Sequence, residues 1–190
     1  MFRLRKLTDC KWINLFEVFY KHKTPQERSW LMCSRKARPI TDAAKADAVM
    51  IIAVVKTEHG DRLVVTKEFR VPIWDYEYAF PAGLIDDGED ITETVTRELK
   101  EETGLEVVKI HHISMPVYSS AGMTDESNHI VIVEAAGTAS NHLQHSDEDI
   151  EVLLMDAQEI KKLLASDKKI AAKAWGIFYH FAQAGTICPP

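Results

Sequence analysis

With 190 residues, 29 of them acidic and 23 basic, the chain carries a net charge of −6 when its histidines are neutral. That length suits one substantial domain with a real core, and the acidic balance excludes a general nucleic-acid surface, so an anionic small molecule would have to be drawn in by local cations. No run is long and charge-free enough to span a bilayer, and Cys10, Cys33 and Cys188 are odd in number and isolated, which excludes a disulfide framework and a zinc site.

The opening MFRLRKLTDCKW has no apolar core of signal-peptide length, so a reducing cytoplasmic location with no membrane partner is expected. Leu15 to Tyr20 is an apolar and aromatic run around Glu17, and Trp30 to Ser34 is a second. KHKTPQERS between them carries charge, Pro25 and polar residues. This pattern predicts a β-hairpin or meander, either as a separate segment over residues 1–45 or as the first part of a single sheet. Ala48 to Lys56 is almost continuously apolar, His59 and Gly60 follow, and Arg62 to Phe69 alternates less than a solvent-facing strand should. A buried hairpin is predicted there as the body of the sheet.

Next comes KEFRVPIWDYEYAFPAGLIDDGE. Arg70 follows strand residues and precedes Pro72, a fixed cation at a strand end; a surface ion pair with Glu68 is the plainer alternative. Trp74, Tyr76 and Tyr78 offer aromatic faces able to stack on a base, or they are core residues on alternate sides of a strand.

From Gly83 to Leu105 the chain reads GLIDDGEDITETVTRELKEETGL. Asp90 with Glu93 can form a reciprocal N-terminal cap, and Gly104 can end the helix in the left-handed conformation with Leu105 folding back. Thr92, Thr94, Val95 and Thr96 are weak helix formers, so packing must hold the segment. Glu98, Glu101 and Glu102 stand three and four apart, which gathers three carboxylates within one turn. Such repulsion costs about 0.2–0.5 kcal/mol per exposed pair. A solvated acidic face is one reading; a seat for a hard cation is the other.

Gly83, five residues, Glu89, seven residues, Arg97, Glu98, Leu99, one residue, Glu101, Glu102, one residue, Gly104 and Leu105 match the Nudix box at every fixed position. The chain thus resembles the Nudix hydrolases. The resemblance implies an α/β fold, an α/β/α sandwich with a mixed sheet over residues 46–190, preceded by a short N-terminal β-hairpin segment. It implies metal ligation by Glu98, Glu101 and Glu102, a supporting Glu89–Arg97 ion pair, a tight loop at Gly83, and magnesium, or manganese, as cofactor. Arg97 and Glu102 would also serve the catalytic step.

Arg70 upstream of PAGLID is similar to the pattern in enzymes that cleave ADP-ribose and other nucleoside diphosphate sugars. By that likeness Arg70 binds diphosphate or terminal sugar, the Ala82 carbonyl completes the metal's coordination, and Gly83 and Trp74 contact substrate. The N-terminal strands would then help form a homodimer, with Arg28, Arg35 and Arg38 either reaching a partner's substrate or only aiding solubility.

Beyond the helix, Val107 to Ile113 is a predicted strand whose His111 and His112 are edge or surface residues. Ser120, Gly122 and Glu126 match a loop of the ADP-sugar enzymes that implies substrate binding by Glu126, although Ala121 stands where proline is usual. In NHLQHSDEDIEVLLM the resemblance implies a carboxylate that completes metal binding or accepts the water's proton, Glu148 first and Asp147 second, before a strand from Glu151 to Met155; an ordinary solvated loop is the plainer alternative. Two helices close the chain. Asp156 with Glu159 caps the first, and Ser166 or Asp167 the second, whose stripe of Ile170, Ala171, Ala174, Trp175, Phe178 and Phe181 is core or dimer contact, with Gly185 as stop. The activity implied is metal-dependent hydrolysis of a diphosphate linkage, giving a nucleoside monophosphate and a sugar phosphate: AMP and ribose 5-phosphate from ADP-ribose. A nucleotide-pool cleaning triphosphate pyrophosphohydrolase and a non-catalytic nucleotide sensor are the alternatives; the complete set of box glutamates speaks against the sensor.

Overall fold

The computed structural model describes residues 2–40, 46–140 and 149–187. In chain order the elements are β1 (Phe2–Lys6), β2 (Asn14–Tyr20), β3 (Arg28–Ser34), β4 (Ala48–Thr57), β5 (Gly60–Arg70), β6 (Asp75–Ala79), β7 (Ala82–Leu84), α1 (Ile91–Thr103), β8 (Glu106–Ile113), β9 (Val117–Tyr118), β10 (Ser127–Ala136), β11 (Ile150–Met155), α2 (Ala157–Leu164), β12 (Lys169–Ile170) and α3 (Ala172–Ala184). They fall into two compact units, residues 1–47 with 116–128, and residues 48–115 with 129–190.

In the first unit β1, β2 and β3 form an antiparallel sheet, with Leu4 opposite Val18 and Phe16 opposite Met32. Those four side chains make its small core. Both predicted runs are strands. The third strand, β1, is too short and too charged to stand out in the sequence, and the fold uses its charge: Arg5 pairs with Glu17 across the sheet. The turn after Ser120 docks on β3, where the Cys33 N–H donates to the Met123 carbonyl (2.9 Å) and Trp30 Nε1 to that of Gly122 (3.1 Å).

The second unit is built on a sheet of order β12-β6-β5-β4-β10-β8, with β11 on β5 and β7 on β4. It is mixed, since β12 runs parallel to β6 while β4, β6 and β11 run antiparallel to β5. β4 reads as one apolar run because both its faces are covered. Val49 and Ile51 pack with Val95 and Leu99 of α1, and Met50 and Ile52 with Ile160 of α2 and Phe178 and Phe181 of α3. This is the layered α/β/α arrangement. Burial of Val95 and Leu99, each at 0% exposure, contributes about 1.5–3 kcal/mol apiece and offsets the poor helix propensity of the threonines around them.

Three expectations are corrected. Neither Ser166 nor Asp167 caps α3: the short strand β12 intervenes, pairing with β6, and the helix starts after Ala171 with no side-chain cap. Ser166 instead bonds the Leu163 carbonyl and the Lys168 N–H. Nor do Tyr76 and Tyr78 lie on alternate sides. Two apart on a strand, they share one side, opposite Phe69 and Lys67. Trp175 leaves the core stripe and stacks on Tyr179 at the surface.

Candidate functional site

The helix that carries the carboxylates is closed at both ends as its sequence predicts. The Glu93 N–H donates to Asp90 Oδ1 (2.9 Å) and the Asp90 N–H to Glu93 Oε2 (3.0 Å). Gly104 ends it at φ 72°, and Leu105 is fully buried. Because α1 presses its Val95–Leu99 stripe on the sheet, the neighbouring side turns Glu98, Glu101 and Glu102 toward β7. A recess of ≈ 360 Å³ results, lined by Ala82, Gly83, Leu84, Asp86, Arg97 and the three glutamates.

Gly83 is not a loop residue. It sits in β7 opposite Val49, and a Cβ there would lie closer to the Glu98 carboxylate than the 3.0 Å that real Cβ atoms respect. Glycine is required for the close approach of that carboxylate, not for a turn. The Ala82 N–H donates to Glu102 Oε2 (3.2 Å), and Glu102 is 7% exposed.

Arg97 balances the charge. Its Nε and Nη2 meet Glu89 Oε1 and Oε2, both at 2.8 Å, a bidentate pair. Its Nη1 lies 2.7 Å from Glu98 Oε1 and 3.2 Å from Glu101 Oε2, and Nη2 also donates to the Leu84 carbonyl (3.2 Å). Among the described residues no three His, Cys, Asp or Glu side chains converge as a ready metal cage; the guanidinium itself bridges two of the three glutamates. The donor set, carboxylate oxygens beside a backbone strand, nevertheless fits a hard dication.

The Arg97 guanidinium pushes the Glu89 carboxyl from its ordinary 4.5 down to about 2, helped by the Thr94 hydroxyl and the Asp86 N–H and opposed by partial burial. A depressed carboxylate contributes stability that is complete above 4.5 and is lost as pH falls toward 2. Glu89→Gln is therefore expected to flatten the stability profile within that acid window and to leave its shape unchanged at higher pH. Denaturant titrations across the pH range check this; equal acid losses in both proteins would contradict it.

Arg70 and Trp74 are not among the residues that line this recess. Alternate residues of β5 face opposite sides: Val64 packs with Val95 and Leu99, while Leu63 and Val65 pack toward α2 and α3. Glu68 and Arg70 continue the Val64 side, so Arg70 is on the same face of the sheet as α1, paired with Glu68 (2.6 Å) and within 3.8 Å of Glu77. Trp74, 77% exposed with φ 50°, sets its ring against the edge of Phe69, which points to the α2 and α3 side; it does not line the recess. Glu126 belongs to the first unit, where it accepts from Ser119 Oγ (2.8 Å) and pairs with Arg35 (3.4 Å). Glu148 and Asp147 lie outside the described residues.

Asp86 and Thr94 were missed. Both stand at positions the box leaves open, where its pattern carries no signal. Asp86 was within reach of a reading that counted every carboxylate between Gly83 and Glu89.

The NUDIX domain profile matches residues 44–174. Over 133 residues the chain is 37% identical to the ADP-ribose pyrophosphatase of Saccharomyces cerevisiae, covering 69% of this chain and 56% of that protein. Over 142 residues it is 30% identical to the ADP-sugar pyrophosphatase of Mus musculus, covering 73% and 62%. The match thus spans less than two thirds of either relative. A crystal structure of an ADP compounds hydrolase superposes with a TM-score of 0.63 at 18% identity, over 87% of this chain and 82% of the other; at that identity it supports the fold alone. Among the described residues no helix is long and apolar enough to cross a membrane.

Proposed function

The chain belongs to the NUDIX domain family, and from that premise we propose that it hydrolyses the diphosphate linkage of ADP-ribose or a related nucleoside diphosphate sugar. The products are a nucleoside monophosphate and a sugar phosphate. The observation that carries this is the gathering of Glu98, Glu101 and Glu102 against Ala82 and Gly83 in a single recess. The substrate class draws on the names of the relatives above and on Arg70, a cation on the α1 face of the sheet.

Glu98, Glu101 and Glu102, with the Ala82 carbonyl, would hold magnesium or manganese. When bound, the dication neutralises diphosphate charge and lowers the pKa of a water. Arg97, tied to Glu89, keeps Glu98 and Glu101 together and balances their charge. The Ala82 N–H holds Glu102. Arg70 supplies positive charge to the diphosphate or terminal sugar, Gly83 makes a further substrate contact, and Glu148, or failing it Asp147, accepts the water's proton. The protein acts as a cytoplasmic homodimer, with residues 1–45 in the dimer contact.

The test is a panel of nucleoside diphosphate sugars and nucleoside triphosphates with magnesium, followed by phosphate-coupled detection. Turnover of ADP-ribose or another sugar nucleotide is expected. Turnover of triphosphates alone would refute the proposal in favour of a nucleotide-pool cleaning enzyme. Arg70→Gln is expected to raise KM for the sugar nucleotide by about tenfold or more, since a hydrogen bond to a charged group contributes roughly 1.5–3 kcal/mol. An unchanged KM would leave Arg70 as the partner of Glu68 only.

A further inference from the structure

We infer that Thr94 is a positioning residue: its buried hydroxyl orients Glu89 and, through the Glu89–Arg97 pair, sets the spacing of Glu98 and Glu101. This rests on the metal-binding reading above.

Thr94 is the fourth residue of α1 and is fully buried. A buried helical threonine ordinarily bonds the carbonyl four residues back, and Thr94 Oγ1 is 3.0 Å from the Asp90 carbonyl oxygen. It is also 2.9 Å from Glu89 Oε2. A carbonyl and a carboxylate only accept, and the hydroxyl has one proton to give. The charged acceptor makes the stronger bond. Thr94 therefore spends its proton on Glu89, and its back-bond is the minor component.

The consequence runs through rigid parts. Glu89 Oε2 accepts from Thr94 and from Arg97 Nη2 (2.8 Å), while Oε1 accepts from Arg97 Nε (2.8 Å). Both carboxylate oxygens are thereby committed, and the plane of the carboxylate sets the plane of the guanidinium. The guanidinium is itself rigid, so its third nitrogen, Nη1, is delivered between Glu98 (2.7 Å) and Glu101 (3.2 Å). Glu89 lies in the loop before the helix and Arg97 is partly solvent-exposed. Among the described residues that contact Glu89, Asp86, Thr94 and Arg97, only the threonine is fully buried, on a side chain whose β-branching stiffens χ1. Thr94 is the fixed end of this series of contacts, at a position where the box itself requires no hydroxyl.

The experiment compares wild type, Thr94→Val, Thr94→Ser, Glu89→Gln and the Thr94→Val/Glu89→Gln double variant. Valine keeps the shape and removes the proton; serine keeps the proton. Manganese affinity is read by calorimetry, KM and kcat for ADP-ribose with magnesium, and thermal midpoints in the presence of chelator. Thr94→Val is expected to weaken manganese binding roughly tenfold, the lower end for a group that orients metal ligands. Thr94→Ser should restore it to near wild type, and Thr94→Val should have little further effect once Glu89 is Gln, because both changes cut the same series of contacts. Wild-type affinity in Thr94→Val, equal losses in Val and Ser, or fully additive losses in the double variant would each reduce Thr94 to a packing residue. If the wild type itself bound no manganese, the metal reading would fail instead. The inference would then be decided by the midpoints in chelator, where additivity of the two changes would overturn it and non-additivity would sustain it.

Discussion

Gly83→Ala is expected to abolish most turnover while the protein remains folded. The new methyl group would occupy the space of the Glu98 carboxylate. The Gly83 backbone lies in an ordinary strand and is not left-handed, so alanine meets no conformational penalty there. The obstacle is the far end of a flexible side chain, which can swing aside at small cost. Swinging aside, however, withdraws Glu98 from Gly83 and Arg97, and with it one proposed metal ligand. Displacements of about 1 Å at a reacting centre can cost about 10²-fold in rate, and this one is at least that large. The expected outcome is a fall in kcat/KM of about 10²-fold or more, with a thermal midpoint within a few degrees of wild type. Activity within tenfold of wild type would mean that Glu98 has no essential part.

Replacement of both Glu101 and Glu102 by Gln is expected to remove magnesium-dependent cleavage without unfolding the chain. Glutamine preserves side-chain shape and an oxygen to accept the Ala82 N–H that now bonds Glu102 at 3.2 Å. Arg97 loses the charge of Glu101 but keeps those of Glu89 and Glu98. Two like charges on one helical turn are relieved, so the thermal midpoint without metal should stay level or rise. The charge that would hold a dication is gone. Metal stabilisation of developing charge is worth several kcal/mol, so a rate loss of about 10³-fold or more is expected. Manganese titration and turnover measured on the same preparation check it, and a double variant that still bound metal and cleaved substrate would sink the metal assignment.

The helix of the site was legible residue by residue. Asp90, Glu93, Gly104 and Leu105 act through neighbours only a few positions away, and their roles as cap, box partner, stop and fold-back follow from chain geometry that any solvent-exposed helix would share. The strand β4 was legible for a similar reason, since burial on both faces leaves an unbroken apolar run, and β5 by its Leu63–Val65 core just after the turn at Gly60. β1 was not, because its alternation, Phe2 and Leu4 between Arg3 and Arg5, spans only five residues and is half charged. β12 escaped because a two-residue strand has no period at all, and the mistaken cap at Ser166 or Asp167 followed from that.

By itself the amino-acid order determined the carboxylate spacing on α1 and, through the match of the box, the family to which the chain belongs and the Glu89–Arg97 pair that the resemblance implied. Only the tertiary structure decided that Gly83 serves the Glu98 carboxylate from a strand, that Thr94 backs Glu89, that Arg70 shares the face of α1, and that Trp74 turns to the other side. For Gly83 and Arg70 the relation depends on strand register and on the parity of each residue within its strand; Thr94 is fixed by its burial in α1, and Trp74, between β5 and β6, follows the Phe69 ring that it meets. Register is decided by which faces are buried against which neighbours, and a shift of one residue would exchange every one of these faces.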